Sequence, residues 1–363
     1  MKRKNNGMEK KQRDSNLEIL RLLSMYMIVC IHANMFLGNF VSGRMWTFFN
    51  GLVNGICNTG VTCFILISGF YGIRFDLKKL MKMECMMISF SLLEMGLLYI
   101  FQPQLLEGAA LLEQAVKTFF PFMTRKYWFY SSYVCIFLAS SYIDRFIDSL
   151  SKEKLEKFIL GMIVIFSLFP TFFYFEVIPD NGKGLVYMFM VYLIGRYIHK
   201  YKDTGLKKGK ALAVLLLCWL LNGISHEFPI RVGEIYHHLC KDNSFTNLII
   251  AVILFYLFKE LKIKSGVINR LSSYLFAVFA LNNSLVLVVV SILYKMGLQP
   301  QEGFAGFVML LSVNLFILLG CLGIGGIREI IWGRAEVKLC LFMEGSMQRI
   351  AGKITRRQNE QKI

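Results

Sequence analysis

Long apolar runs, separated by short basic or polar stretches, recur along the whole chain. A helix needs about 20 apolar residues to cross a bilayer, so runs of this length predict membrane-spanning helices rather than the core of a soluble domain. We predict ten spans, at residues 17–37, 52–73, 80–101, 127–145, 158–178, 184–200, 211–225, 245–261, 273–295 and 303–327. The pattern therefore predicts an all-α fold, a polytopic membrane bundle of about ten helices.

The loop charges divide this bundle into two sides. When both termini and alternate loops are placed on one side, 32 of the 41 Lys and Arg residues fall there and 8 fall on the other side, while Arg21 lies inside the first span. Short loops rich in Lys and Arg remain in the cytoplasm during insertion. The charge bias therefore predicts an even number of spans, with both termini cytoplasmic.

Composition places the chain among membrane proteins and excludes several other classes. The 363 residues are 55% hydrophobic and carry a net charge of +17, but the basic residues lie in short loops, which indicates topology and contact with anionic lipid rather than nucleic-acid binding. Nine scattered cysteines form no Cys-x-x-Cys pair, and they predict neither a disulfide framework nor a metal site. We expect no metal.

We predict three regions along the chain. Residues 1–16 form a basic cytoplasmic N-terminus, 17–327 form the membrane domain and 328–363 form a basic tail. The tail alternates basic and apolar residues, which is typical of an amphipathic helix at a membrane surface. The basic start leads into a full-length span without a small-residue cleavage pattern, so we expect the first helix to be retained.

The first span carries two ionisable residues of unusual placement, Arg21 and His32. Eleven residues make about three helical turns, so both side chains face one way and lie about 16 Å apart along the axis. Such groups are unfavourable inside a membrane unless they serve a function. Glu18, three residues before Arg21, is a candidate partner for the arginine. His32 is a candidate acid–base group or transient acyl carrier, and the sequence leaves both roles open.

A basic cluster follows the second span on the predicted cytoplasmic side. Arg74, Lys79 and Lys82 are placed to bind the phosphates of a nucleotide-type donor, or else to contact lipid headgroups. The preceding segment, Gly60 to Gly72, is rich in small residues, which permit close helix packing. We find no Gly-rich phosphate-binding loop and no Gly-x-Ser-x-Gly elbow.

These motifs resemble the membrane acyltransferase 3 family over most of the chain. The family's first span carries an arginine, ten residues and a histidine, with an acidic residue just before, as Arg21, His32 and Glu18 do here. Its second span contains a glycine–valine–aromatic run leading to Ser-Gly-Phe, matched by Gly60-Val61 and Ser68-Gly69-Phe70. The Tyr127-Trp128-Phe129 start of the fourth span is also similar.

Two positions depart from the family pattern. The family often has paired arginines after the second span, where this chain offers Lys79 and Lys82, which keep the charge without the bidentate geometry of arginine. A family Tyr-x-x-His segment in the ninth span corresponds here to Phe279 and Asn282. The role of the ninth span is therefore open.

The resemblance implies an O-acyltransferase of the bacterial cytoplasmic membrane that takes acetyl from acetyl-CoA. The implied acceptor is a hydroxyl of an exopolysaccharide, a capsule or another cell-envelope glycan, or of a lipid-linked precursor. His32, Arg21 and Glu18 would be the catalytic residues, and Arg74, Lys79 and Lys82 would bind the CoA phosphates. The alternative is a transporter of such a glycan, in which the intramembrane residues Glu94, Arg21 and His32 relay protons.

Overall fold

A computed structural model describes residues 14–42, 44–173, 175–201, 207–232, 235–237, 239–298 and 301–360. Its fourteen helices, α1 to α14 in chain order among these residues, are Ser15–Leu37, Arg44–Cys57, Gly60–Tyr71, Leu77–Phe101, Ala109–Phe119, Trp128–Ser149, Lys152–Ile163, Phe169–Phe172, Leu185–Tyr201, Lys208–Glu227, Phe245–Lys259, Gly266–Ser272, Leu275–Lys295 and Gly303–Glu360. A π-helical segment, Val164–Leu168, joins α7 to α8, and short 3₁₀ turns occupy Gly38–Phe40 and Pro103–Leu106.

Strands are confined to two short pairs among the described residues. β1 (Val41–Ser42) pairs in parallel with β4 (Gln301–Glu302), and β2 (Ile230–Val232) forms an antiparallel hairpin with β3 (Ile235–His237). Most of the described backbone is helical. The predicted all-α class is confirmed.

Several helices begin where the sequence supplies a side-chain cap. The carboxylate of Asp14 accepts from the backbone N–H of Asn16 at the start of α1, and Asp76 accepts from Lys79 at the start of α4. A cap of this kind satisfies one of the N–H groups that a first helical turn leaves unpaired. The start of α1 thereby fixes the depth at which Arg21 and His32 lie in the bundle.

Seven helical stretches within the described residues are long and apolar enough to cross a membrane. They are Ser15–Leu37, Thr47–Tyr71, Leu77–Phe101, Lys152–Phe172, Lys208–Glu227, Leu275–Lys295 and Gly303–Gly333. The remaining predicted spans, 127–145, 184–200 and 245–261, coincide with α6, α9 and the shorter apolar helix α11. The protein is therefore polytopic, while the count of ten and the orientation of the termini stay predictions.

The basic loops meet at one end of the bundle. The side chain of Asn16 accepts from the backbone N–H of Ile263 (2.8 Å), which ties the start of α1 to the loop after α11. At the same end, Lys208 pairs with Glu260 (2.9 Å). This shared end is the one that the loop charges predict to be cytoplasmic, and we call it the basic end.

Close helix packing around α3 depends on two glycines. A Cβ atom built on Gly69 would lie 2.3 Å from the backbone oxygen of Tyr192, and one built on Gly195 would lie 2.4 Å from that of Leu66. Helices α3 and α9 therefore cross backbone to backbone, as small residues permit. Helix α1 packs against α3 on one side and α13 on another, which places it at the centre of the bundle.

Helix α14 is 58 residues long and continues without a break through residue 327, where we predict the boundary between membrane domain and tail. At 1.5 Å per residue it is about 87 Å long, far more than a bilayer core needs. Its first part, Gly303–Gly333, is long and apolar enough to span the membrane, and the rest of the helix extends from the basic end.

Candidate functional site

Arg21 and Glu18 form an ion pair on α1. The guanidinium Nη1 atom lies 2.8 Å from Glu18 Oε1, and the Glu18 side chain is almost fully buried. The Arg21 guanidinium also lies over the rings of Phe64 (5.9 Å) and Tyr71 (5.6 Å) of α3, at distances typical of cation–π contacts. The proposed pairing of Glu18 with Arg21 is confirmed.

His32 is held by a residue from α13. Its Nδ1 atom lies 2.5 Å from Asn282 Oδ1, while Asn282 Nδ2 donates to the backbone oxygens of Val278 and Phe279, both at 2.9 Å. Because the amide nitrogen of Asn282 donates to these carbonyls, the amide oxygen must face the imidazole. His32 Nδ1 must then carry a proton, which it donates to that oxygen. In this tautomer Nε2 holds the lone pair, so His32 is set up to accept a proton there.

An outer cavity of about 190 Å³ lies beside His32. Its polar lining includes Asn58, from the break between α2 and α3, together with Lys183 and Asp242 from two loops. Lys183 is close enough to interact electrostatically with both His32 and Asp242. Trp128, at the start of α6, forms part of the apolar wall. A base, a cation and a carboxyl therefore surround one small space.

Asp242 is 7% exposed, and its pKa lies well above the ordinary value for aspartate. Burial raises its pKa to about 6; Lys183 opposes this rise and Asp180 adds to it. A buried carboxyl disfavours its charged form, and only a nearby cation reduces that penalty. Asp242 can thus change its charge near neutral pH at the edge of the outer cavity.

A central cavity of about 140 Å³ continues from the outer one toward the basic end. The two cavities share Met25, Phe129 and Phe279 as lining residues. Phe279 packs against Phe129 with ring centroids 5.3 Å apart, so these rings form the partition. The rest of the central lining is also apolar or aromatic and includes Phe64, which Arg21 contacts.

An inner cavity of about 1000 Å³ opens at the basic end, between α4, α13 and α14. It shares Phe276 with the central cavity and is lined by Lys82 and Lys338. Neither lysine forms an ion pair with any residue the structure describes. Arg328, which also lines it, is held by Glu336 (3.2 Å). Three cavities thus follow one another from the basic lysines to His32.

Comparison with family models matches residues 14–325 to an acyltransferase domain of the acyltransferase 3 type. The chain belongs to the membrane acyltransferase 3 family. Comparisons with curated proteins and with solved structures gave no match. The chain is therefore a membrane acyltransferase, which requires an acyl donor and an acceptor.

Some of the site residues predicted for this acyltransferase line one of the cavities, and others do not. His32 lines the outer cavity, and Lys82 lines the inner one. Arg74 and Lys79 are exposed and line neither cavity, although they lie near Lys82 in the chain. No cluster of three or more potential metal ligands occurs among the residues described.

Sequence reasoning missed several residues that the fold brings to these cavities. Lys183 and Asp242 lie in loops 59 positions apart in the chain, and no motif joins them. Lys338 lies beyond the matched region, in the predicted tail, so the tail's first turns contribute to the inner cavity. Trp128, which the sequence placed in the family-like start of the fourth span, lines the outer cavity. One usable signal was Asn282, which stands where the family often has histidine and which holds His32.

Proposed function

We propose that this acyltransferase moves acetyl from acetyl-CoA to a hydroxyl of a cell-envelope glycan, such as an exopolysaccharide, a capsule or a lipid-linked precursor. The donor binds at the inner cavity, the acceptor hydroxyl enters the outer cavity, and His32 is the general base. The observation that carries this proposal is the hydrogen bond between His32 Nδ1 and Asn282 Oδ1, which leaves Nε2 to accept a proton.

The inner cavity has the chemistry that a CoA nucleotide needs. Lys82 and Lys338 form no ion pair with a described carboxylate, although Glu329 and Glu336 also line the cavity. Phosphates bind such ammonium groups through charge-assisted hydrogen bonds. Glu336 Oε1 is buried without a hydrogen-bond partner among the described residues. A carboxylate oxygen of this kind suits a ribose hydroxyl or an adenine amino group as donor.

The thioester arm would extend through the central cavity. Tyr274, which lines the inner cavity, and Asn282 are eight residues apart along α13, or about 12 Å. The path between them is lined by apolar and aromatic side chains, including Phe276 and Phe279, which suit an uncharged acyl-bearing arm. Arg21, paired with Glu18 and packed on Phe64, would hold the wall of this path and is a positioning residue in this proposal.

The reaction balances with His32 alone as proton carrier. Nε2 accepts the acceptor's hydroxyl proton as the oxygen attacks the thioester carbonyl. The carbon–sulfur bond then breaks, and the leaving thiolate takes the proton from Nε2. The Lys183 ammonium, on the edge of the outer cavity, would stabilise the negative charge that develops on the carbonyl oxygen.

The test is glycan acetylation in cells that carry His32→Ala, compared with the parent and with Arg21→Ala at matched membrane protein levels. We expect His32→Ala to lose the glycan O-acetyl signal while export of the glycan is unchanged. Unchanged acetylation, or loss of the surface glycan itself, would overturn the proposal, and the second result would favour a transporter. Against transport, Glu94 is paired with Lys126 (2.8 Å) and does not line the cavity of His32.

A further inference from the structure

A long apolar groove runs along the side of the bundle, away from the three cavities. Nine apolar side chains from α7, α9, α10 and α11 line it, and its volume is about 610 Å³. Val214, at its edge, is 42% exposed, so the groove opens sideways, toward the surrounding bilayer. We call it the lateral groove.

The lateral groove has charge at one end only. Lys207 and Lys210 lie at the basic end, and no carboxylate is among the lining residues. Neither lysine forms an ion pair with a described residue, whereas Lys208 between them pairs with Glu260 (2.9 Å). The start of α10 therefore presents the ammonium groups of Lys207 and Lys210 beside the groove, while the ammonium group of Lys208 is bound to Glu260.

The length of the groove matches an extended lipid chain. Asn222 of α10 hydrogen-bonds to Asn247 of α11 (2.8 Å), so Phe245, the groove's far lining residue, lies close to the level of Asn222. The fifteen residues from Lys207 to Asn222 rise about 22 Å. One leaflet of disordered chains is about 15 Å deep, half of the hydrocarbon core, and a chain held straight against protein reaches further.

We propose that the lateral groove binds one anionic phospholipid of the surrounding bilayer. Its phosphate lies between Lys207 and Lys210, and one acyl chain lies along the groove between α9, α10 and α11. The ammonium groups favour an anionic headgroup over a zwitterionic one, since each basic side chain near an anionic lipid adds attraction. This site is independent of acyl transfer and of the donor and acceptor proposed above.

The test uses the full chain, purified in mild detergent and titrated with phosphatidylglycerol or phosphatidylcholine of the same chains, with adducts counted by native mass spectrometry. We expect the parent to bind one phosphatidylglycerol about tenfold or more tightly than phosphatidylcholine. The double substitution Lys207→Gln with Lys210→Gln should remove that preference. Lys208→Gln, which removes one ammonium group from the same helix turn but not from the groove, should keep it.

A second variant tests the groove itself. Val252→Trp fills the middle of the lateral groove and should weaken phosphatidylglycerol binding while leaving the protein monodisperse, because Val252 is partly exposed rather than in the core. Equal binding of the two lipids by the parent, or equal loss in Lys208→Gln, would overturn the proposal. So would displacement of phosphatidylglycerol by a polyprenyl phosphate at lower concentration, or a stable dimer that Val252→Trp dissociates.

Discussion

Nδ1 of His32 lies 2.5 Å from Oδ1 of Asn282, so a residue 250 positions away fixes the imidazole of α1. The contact joins the first span to the ninth, and Asn282 stands there where the family often has histidine. The orientation of the Asn282 amide is fixed, because its nitrogen already donates to the carbonyls of Val278 and Phe279. Its oxygen therefore faces His32.

Replacing Asn282 should lower turnover rather than donor affinity. In Asn282→Leu the imidazole loses its fixed tautomer, and we expect kcat to fall about tenfold to a hundredfold with KM for acetyl-CoA unchanged, since a positioned general base is worth about 100-fold to 10,000-fold. Asn282→Asp keeps an oxygen acceptor and should recover most of the activity. Steady-state transfer by purified protein measures both constants, and failure of Asn282→Asp to recover activity would show that Asn282 only packs.

The helical pattern could be predicted because apolar run length is a local feature of the sequence, whereas the count of ten spans and the orientation of the termini stay predictions. Each predicted span overlaps helix, although helix ends at Phe172 within the predicted span 158–178, and the placement of Arg21, His32 and Glu18 follows from spacing along one helix. The break at Asn58–Thr59 was not predicted, because the span 52–73 was assigned from its overall apolar character, which includes this short polar stretch. The partners of His32 were missed for a different reason, since contacts between distant helices leave no periodicity in either one.

Asp242 should make both stability and activity depend on pH near neutrality. Its pKa is raised from 3.8 to about 6, so the folded state holds this proton more tightly than the unfolded chain does. The stabilising contribution is therefore complete below about pH 4 and is lost as the pH rises through 6. A shift of this size corresponds to about 3 kcal/mol.

The substitution Asp242→Asn isolates this effect. The variant should lose the stability change between about pH 4 and 6 that the parent shows in thermal unfolding monitored in detergent. It should also lose the step in acyl transfer near pH 6, because no charge then changes beside Lys183. Parallel curves for parent and variant across this range would refute the assignment of the step to Asp242.

Donor affinity should distinguish Lys82 from its neighbour Lys79. Lys82 lines the inner cavity and Lys79 does not, although both are exposed and lie on the same helix. We expect Lys82→Glu and Lys338→Glu each to raise KM for acetyl-CoA about tenfold or more, since a hydrogen bond to a charged group is worth about 1.5–3 kcal/mol. Lys79→Glu should leave KM within about twofold, and an equal rise would mean that surface charge in general, rather than this cavity, attracts the donor.

Gly69 should be required for packing and not for chemistry. A methyl group there would meet the backbone of Tyr192, and Gly69→Ala should therefore separate α3 from α9 and lower the unfolding temperature, with a cost of about 1–3 kcal/mol as for other overpacked sites. Gly96→Ala is the matched control, because nothing lies within 4 Å of its Cβ and alanine favours helix. If Gly69→Ala kept full stability and lost activity, the Ser-Gly-Phe motif would have a direct role in the reaction.

Phe279 should control passage between the central and outer cavities. It lines both and packs on Phe129, and a larger ring at this position fills the space that the donor's thioester must cross to reach His32. We expect Phe279→Trp to lower kcat at least tenfold while acetyl-CoA still binds at the inner cavity, because an overpacked passage costs about 1–3 kcal/mol. Equilibrium binding of labelled acetyl-CoA, measured beside transfer, separates the two effects.

Phe316→Trp on α14, where the side chain is 69% exposed, makes the same substitution outside the cavities and should be neutral. If Phe279→Trp reduced donor binding and turnover equally, the acetyl group would reach the acceptor by a route other than the central cavity.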